Sequence, residues 1–224
     1  MDAVSGQRLG LLDGAAVTER RTAALSLLAA QTLAPDPSGE LLVVGAGTQG
    51  RAHVEAFAAG LGTRRVAVCS RSQAGAEALA AHARSLGLAA RVVRDPGEAL
   101  TDCTLVVTTT TSVEPVLGES GGARVRDDAF IAAVGAFKAH MAEIDAALVR
   151  RCRVYVDTLE GAQSEAGDLL LAGLDPVRDC TALAEVLDGP RPQSGPVLFK
   201  SVGHALFDLA AGRLALAGDS FPSN

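Results

Sequence analysis

Gly45, Gly47 and Gly50 stand in the segment Gly45-Ala46-Gly47-Thr48-Gln49-Gly50, directly behind the apolar run Leu41-Leu42-Val43-Val44. In a G-x-G-x-x-G turn the first glycine permits the tight bend, the second lets backbone amides approach a pyrophosphate, and the third lets the next helix pack closely on its strand. The helix N-terminus adds partial positive charge. The spacing alone is weak evidence, but between an apolar strand and a helical segment it points to a bound dinucleotide, with all six residues, Ala46, Thr48 and Gln49 included, as contacts. About 20 residues beyond the last glycine, where a carboxylate would accept from a ribose 2′-hydroxyl, the sequence reads Cys69-Ser70-Arg71-Ser72. A guanidinium between two hydroxyls suits a 2′-phosphate, so NADP(H) is expected over NAD(H), with Ser70, Arg71 and Ser72 as its contacts. An Arg71 that is only solvated, or that stacks on the adenine of either cofactor, is the alternative.

A run of hydroxyls, Thr108 to Thr111, follows another apolar segment at the end where open α/β sheets place ligands, and Thr110 is expected against the nicotinamide ribose. His53, in the helix after the glycine turn, reads as a packed histidine, and His140 is a candidate proton donor. His82, His140 and His204 share no metal-binding spacing. Cys69, Cys103, Cys152 and Cys180 form no C-x-x-C pair and read as buried free thiols.

With 48% hydrophobic and 21% charged residues in 224, the composition fits one substantial α/β core rather than a disordered chain. A net charge of −6 with both signs interspersed leaves no footprint for nucleic acid or an anionic membrane. One Tyr and no Trp disfavour stacking platforms. The first ten residues lack a basic-then-apolar leader and no long uncharged apolar stretch follows, so the expected setting is the cytoplasm.

To position such a site the chain must alternate strands and helices. Residues 15–33 read as an Ala- and Leu-rich helix ended by Pro35-Asp36-Pro37. Strands are expected at 41–47, 65–69, 90–93, 105–109, 130–134 and 154–156, with helices at 49–59 and 74–86. Beyond Asp157 the pattern loosens into a loop-rich stretch before a strand-like VLFKSVG and a helix at 204–217. The order implies an α/β fold, a Rossmann-type doubly wound parallel sheet, with a partial second lobe formed by the two chain ends. The expected division is 1–36 for an N-terminal substrate and dimer lobe, 37–195 for the NAD(P)-binding domain, and 196–224 for a strand and helix returning to the substrate lobe. Two short end pieces cannot bury each other fully, so apolar surface should remain on both terminal helices and a homodimer should cover it.

Together with the glycine turn, three further segments resemble the ornithine cyclodeaminase/mu-crystallin family: Thr18-Glu19-Arg20-Arg21-Thr22-Ala23-Ala24, the VTTTTSVEPVL stretch from Val107 to Leu117, and Lys200-Ser201-Val202-Gly203 followed by Asp208-Leu209. The resemblance implies NAD(P)-linked chemistry at a C–N centre beside a carboxylate, as in ornithine cyclodeaminases, an alanine dehydrogenase and cyclic ketimine reductases. It gives Arg21 the role of holding the substrate carboxylate, which its planar fork suits. It also brings Gly203 to the cofactor and Asp208 near the nicotinamide.

Two departures shape the expectation. Aligning Gly135 and Glu143 on the family puts Phe137 where cyclodeaminases carry an aspartate that works on the substrate amine, and Phe can take neither a proton nor a hydrogen bond from it. Hydride delivery to a preformed cyclic imine needs less of the protein. The absence of an acidic residue at Ser70 points the same way, since the reductases of the family tend to use NADPH. The second departure is a family N-terminal stretch, with a substrate-binding lysine, before the segment matched by Ser5 to Leu9; here no Lys precedes Lys138. Either Met1 is an internal start, or the chain is a relative that binds cofactor without turnover. The expectation is NADPH-dependent reduction of Δ1-pyrroline-2-carboxylate or Δ1-piperideine-2-carboxylate to proline or pipecolate. Ornithine cyclodeamination and non-catalytic NAD(P) binding are the alternatives.

Overall fold

In the computed structural model, which describes residues 4–119 and 124–217, every residue of the first strand is buried. Leu41 and Val43 face one apolar layer while Leu42 and Val44 face another, which is why the run shows no polar alternation. In chain order the elements are α1 (Gly14–Leu33), β1 (Glu40–Val44), α2 (Thr48–Gly60), β2 (Arg65–Cys69), α3 (Gln73–Ser85), β3 (Ala89–Val92), β4 (Cys103–Thr108), β5 (Phe130–Ala133), α4 (Ala146–Arg151), β6 (Arg153–Val156), α5 (Leu159–Glu165), α6 (Gly167–Leu171), α7 (Pro176–Asp179), β7 (Thr181–Ala182), β8 (Val197–Lys200) and α8 (Ala205–Leu216).

All eight strands run parallel in the order β3-β2-β1-β4-β5-β8-β6-β7. The chain enters at β1, winds outward to β3, and returns to β4 on the other side of β1. That reversal opens a crevice at the carboxyl ends of β1 and β4, where doubly wound sheets bind ligands. Helices α1, α2 and α3 contribute to the layer on one face, and α4, α5 and α6 to the layer on the other.

Local signals set the helix ends. Asp13 caps α1 by accepting from Ala15 N at 2.8 Å and Ala16 N at 3.1 Å, and the helix stops at Ala34, ahead of Pro35. Ser72 caps α3 by accepting from Gly75 N at 3.2 Å. Helices α1 and α2 are tied through His53, whose Nδ1 lies 2.7 Å from the Gln49 carbonyl oxygen and whose Nε2 lies 2.9 Å from Ser26 Oγ. A carbonyl only accepts, so Nδ1 carries the proton and Nε2 accepts from the serine. Burial pushes this imidazole down to about 4. His53 is thus a packed, neutral histidine, as the sequence suggests.

One sequence expectation needs refinement and another correction. The stretch after Asp157 is loop-rich as expected, but among its loops it holds the helices α5, α6 and α7, each too short to show helical periodicity. The strand of the 196–224 segment does not leave the sheet for a second lobe. As β8 it lies between β5 and β6, with Phe130 opposite Val197 and Val154 opposite Leu198. Strand order is a tertiary choice that periodicity does not encode; α8 is the part of this segment that leaves the sheet, and it packs on α1. Residues 1–3 and 218–224 of the two end segments lie outside the described residues.

Candidate active site

The glycine turn has the shape a pyrophosphate requires. Gly45 has φ of 113°, a value open chiefly to glycine, and a Cβ there would sit 2.7 Å from Thr109 Oγ1. A Cβ on Gly50 would collide with the Gly45 carbonyl oxygen, whereas one on Gly47 would meet nothing within 4 Å. The first and third glycines are therefore demanded by packing, and the second leaves the outer face of the turn open. No side chain caps α2 at Gly47, so its first-turn amides are free to meet an anion. These residues fit a dinucleotide.

Parallel pairing of β1 with β2 sets Val44 beside Cys69, and Gly45 N donates to the Cys69 carbonyl at 2.9 Å, so Ser70-Arg71-Ser72 follows directly beside the glycine turn. Arg71 and Ser72 are exposed. Ser72 Oγ is already engaged as the α3 cap, which leaves its hydroxyl proton as its contribution to a phosphate.

Beyond the turn lies a cleft of about 320 Å³ lined by Thr18, Arg21, Thr22, Gln49, Thr109, Thr110, Thr111, Val134, Gly135, Phe137, Ser201, Val202 and Gly203. Arg21, Thr110 and Gly203 come together there, as does Phe137. Arg21 is the one ionisable side chain among these lining residues. Its Nε donates to Asp208 Oδ1 on α8 at 3.0 Å. Gly203 stands against Arg21 in this cleft: a Cβ on it would lie 3.2 Å from Arg21 Nη2. His140 does not line the cleft, so the structure gives no support to it as a proton donor.

Three buried carboxylates hold the cleft floor and rim. Glu143 Oε1 accepts from Thr110 N at 2.5 Å and Thr110 Oγ1 at 2.8 Å, while Oε2 accepts from Gly135 N at 2.6 Å and Ala136 N at 3.1 Å. Burial pushes its carboxyl up, opposed by the Lys200 charge and the Thr110 bonds. Thr110 thus spends its hydroxyl proton on Glu143 and can only accept from a ligand. Asp168 Oδ1 accepts from Glu143 N at 2.6 Å and Ile144 N at 2.9 Å, and its Oδ2 lies 2.9 Å from Lys200 Nζ. The latter pair is poorly aligned as a hydrogen bond, so the contact is chiefly ionic. Asp157 Oδ2 accepts from Ser201 Oγ at 2.9 Å, Val202 N at 2.9 Å and Gly203 N at 2.7 Å, which fixes the turn between β8 and α8.

Sequence reasoning gave none of the three carboxylates a role in the site, because most of their hydrogen-bond partners are backbone amides, which leave no trace in residue type. One signal was present: β8 is buried on both faces, so a lysine at its end has to be buried and paired. The thiols behave as buried or half-buried free cysteines, with burial pushing Cys69 and Cys180 up to about 11 and Cys103 and Cys152 up to about 12.

A sequence profile of the ornithine cyclodeaminase/mu-crystallin family matches residues 1–216. The chain belongs to this family. A Δ1-pyrroline-2-carboxylate/Δ1-piperideine-2-carboxylate reductase of Azospirillum brasilense is 43% identical over 215 residues, covering 96% of this chain and 67% of the relative. Among solved structures, the Thermococcus litoralis Δ1-pyrroline-2-carboxylate reductase in complex with NADH and L-proline is 29% identical, with a TM-score of 0.84 over 91% of this chain and 65% of that one. An archaeal alanine dehydrogenase dimer with bound NAD is 27% identical, with a TM-score of 0.85 over 95% of this chain and 67% of that one. The chain thus spans about two thirds of the length of these family members. Among the described residues no helix is long and apolar enough to cross a membrane.

Proposed function

We propose that this chain reduces a cyclic ketimine carboxylate, Δ1-pyrroline-2-carboxylate or its six-membered homologue, to proline or pipecolate, with NADPH preferred to NADH. The observation that carries the reading is the cleft itself. It joins an open glycine turn to a single guanidinium amid hydroxyls and apolar groups, with no acid or base among its described lining residues. The reduced nicotinamide, when bound, would supply the hydride to the imine carbon; the ring nitrogen enters as the protonated iminium and keeps the proton it took from solvent, so the cleft lining has none to deliver. Arg21 holds the substrate carboxylate, its fork matching the two oxygens. Val134 and Phe137 offer apolar surface to the ring methylenes, and Ser201 to Gly203, fixed by Asp157, form the opposite wall. Ser70, Arg71 and Ser72 take the 2′-phosphate.

Cyclodeamination of ornithine to proline and ammonia would ask more of the cleft, namely an ionisable group beside the amine, and Phe137 stands where the family's cyclodeaminases carry one. Consumption of NADPH in the presence of each cyclic imine tests the reading. Turnover with the imines and none of ornithine with NAD is expected. Release of ammonia from ornithine would overturn it, and saturable NADPH binding without turnover would leave a binding protein. A homodimer accompanies this reading. Leu12, Val17, Leu25 and Leu28 on the N-terminal side and Phe207 and Leu214 on α8 line an apolar groove of about 490 Å³, with Leu206, Leu209 and Leu216 also exposed. Light scattering giving the mass of a monomer at micromolar concentration would count against it.

A further inference from the structure

We propose that Asp208 is the positioning residue for Arg21: it pins the guanidinium through Nε and leaves both terminal nitrogens for a carboxylate in the cleft. The inference rests on the reading that Arg21 is the carboxylate clamp. The two residues are 187 positions apart and meet because α8 packs on α1. Arg21's side chain retains 15% of its exposure and Asp208's 42%, so the pair is asymmetric, with the cation sunk in the cleft wall and the anion at its edge.

Among the described residues one hydrogen bond holds the guanidinium, and the Gly203 backbone passes near its other end. Asp208 takes the side-on donor at 3.0 Å. Gly203, at φ of 91°, passes beside the other end, where an added Cβ would lie 3.3 Å from Nη1 and 3.2 Å from Nη2. Gly203 is itself held by its 2.7 Å bond to Asp157. Asp208 therefore does not occupy the fork, because its hydrogen bond goes to Nε and no other acceptor holds Arg21 among the described residues. A free arginine would lose rotamer freedom on gripping a ligand, and one already ordered loses less. An exposed ion pair would contribute little to stability. The effect of this one belongs in ligand affinity.

The full chain, loaded with NADPH or NADP, is titrated with L-proline as the probe, and kinetics are run with Δ1-pyrroline-2-carboxylate. Asp208→Ala should weaken proline and raise KM by about 3- to 10-fold, the worth of one immobilised side chain, with kcat and the NADPH Kd little changed. Asp208→Asn keeps an oxygen that can accept from Nε and should recover most of that loss. Arg21→Lys separates the two levels of the argument. If it leaves proline affinity unchanged, or if the unmutated chain takes no proline, the clamp reading falls and this inference with it. If Arg21→Lys weakens proline but Asp208→Ala leaves it unchanged, the inference alone is wrong. Tighter proline binding by Asp208→Ala would make the aspartate a competing anion, and an equal loss of NADPH affinity would make it a general structural contact; either result overturns the proposal.

Discussion

Removing the Lys200 ammonium tests whether the cleft floor rests on a buried ion pair. Lys200 and Asp168 are both shielded from solvent, with Nζ and Oδ2 2.9 Å apart. Lys200→Met keeps the stem's volume and strands the carboxylate, a change that costs about 3–5 kcal/mol when a buried charge loses its partner. Two amides, from Glu143 and Ile144, still reach Asp168 Oδ1 and offset part of that cost. The lower end, about 3 kcal/mol, is therefore expected. For a chain of this size that corresponds to a fall in Tm of about 6–12 °C. Asp168→Asn in the same chain removes the stranded charge while keeping an oxygen for the two amides. The double variant should thus be more stable than Lys200→Met alone, with a coupling energy of about 2 kcal/mol. Urea unfolding of the four proteins, read by circular dichroism, gives the cycle. A Lys200→Met cost below about 1 kcal/mol, or strict additivity in the double variant, would refute the view that this pair organises the floor.

The neutral, buried His53 makes stability depend on pH. Its folded-state value of about 4 lies below the ordinary 6.5, so its contribution is complete above pH 6.5 and is lost as pH falls from 6.5 towards 4. That loss is about 3 kcal/mol, and His53→Gln should flatten this part of the unfolding curve; an unchanged pH slope would contradict the assignment. Arg71→Ala should remove most of an NADPH-over-NADH preference of about 1.5–3 kcal/mol, roughly ten- to a hundredfold, with NADH binding nearly unchanged; equal Kd values for the two cofactors in the unmutated chain would defeat the 2′-phosphate assignment. Gly50→Ala should abolish dinucleotide binding, because its Cβ would drive α2 off the Gly45 carbonyl; fluorescence titration retaining NADPH affinity within a few-fold would argue against the turn as the cradle.

How much of this could be read from the residues depends on how local each requirement is. The glycine turn was legible because each of its demands is satisfied within six residues: the left-handed φ of Gly45, the open face at Gly47 and the close approach at Gly50. The strands of the first half were legible because a sheet covered on both faces leaves unbroken apolar runs such as Leu41 to Val44. The carboxylates under the cleft were not, since Asp157 reaches amides 45 and 46 residues away and Asp168 reaches amides 24 and 25 away. An amide has no residue type to betray the partnership. Short helices α5 to α7 escaped because four to seven residues give a 3.6-residue period too little length to show.

The Lys200-Ser201-Val202-Gly203 motif shows how one short segment can serve both floor and rim. Strand period places Leu198 and Lys200 on the same face of β8, and Leu198 belongs to the layer that holds Leu169 of α6. The ammonium therefore points into that layer and meets Asp168, the residue before Leu169. Phe199 points the other way, into the layer that holds Ala29, Ala30 and Leu33 of α1. One residue beyond the strand the chain enters the grip of Asp157, and at Gly203 it reaches the guanidinium that α1 carries. The lysine thus fixes the height of the strand end, the serine and the following amides fix the bend, and the glycine admits Arg21. A substitution at any of the three should be felt at the same guanidinium, which Gly203 passes and whose cleft Ser201 shares.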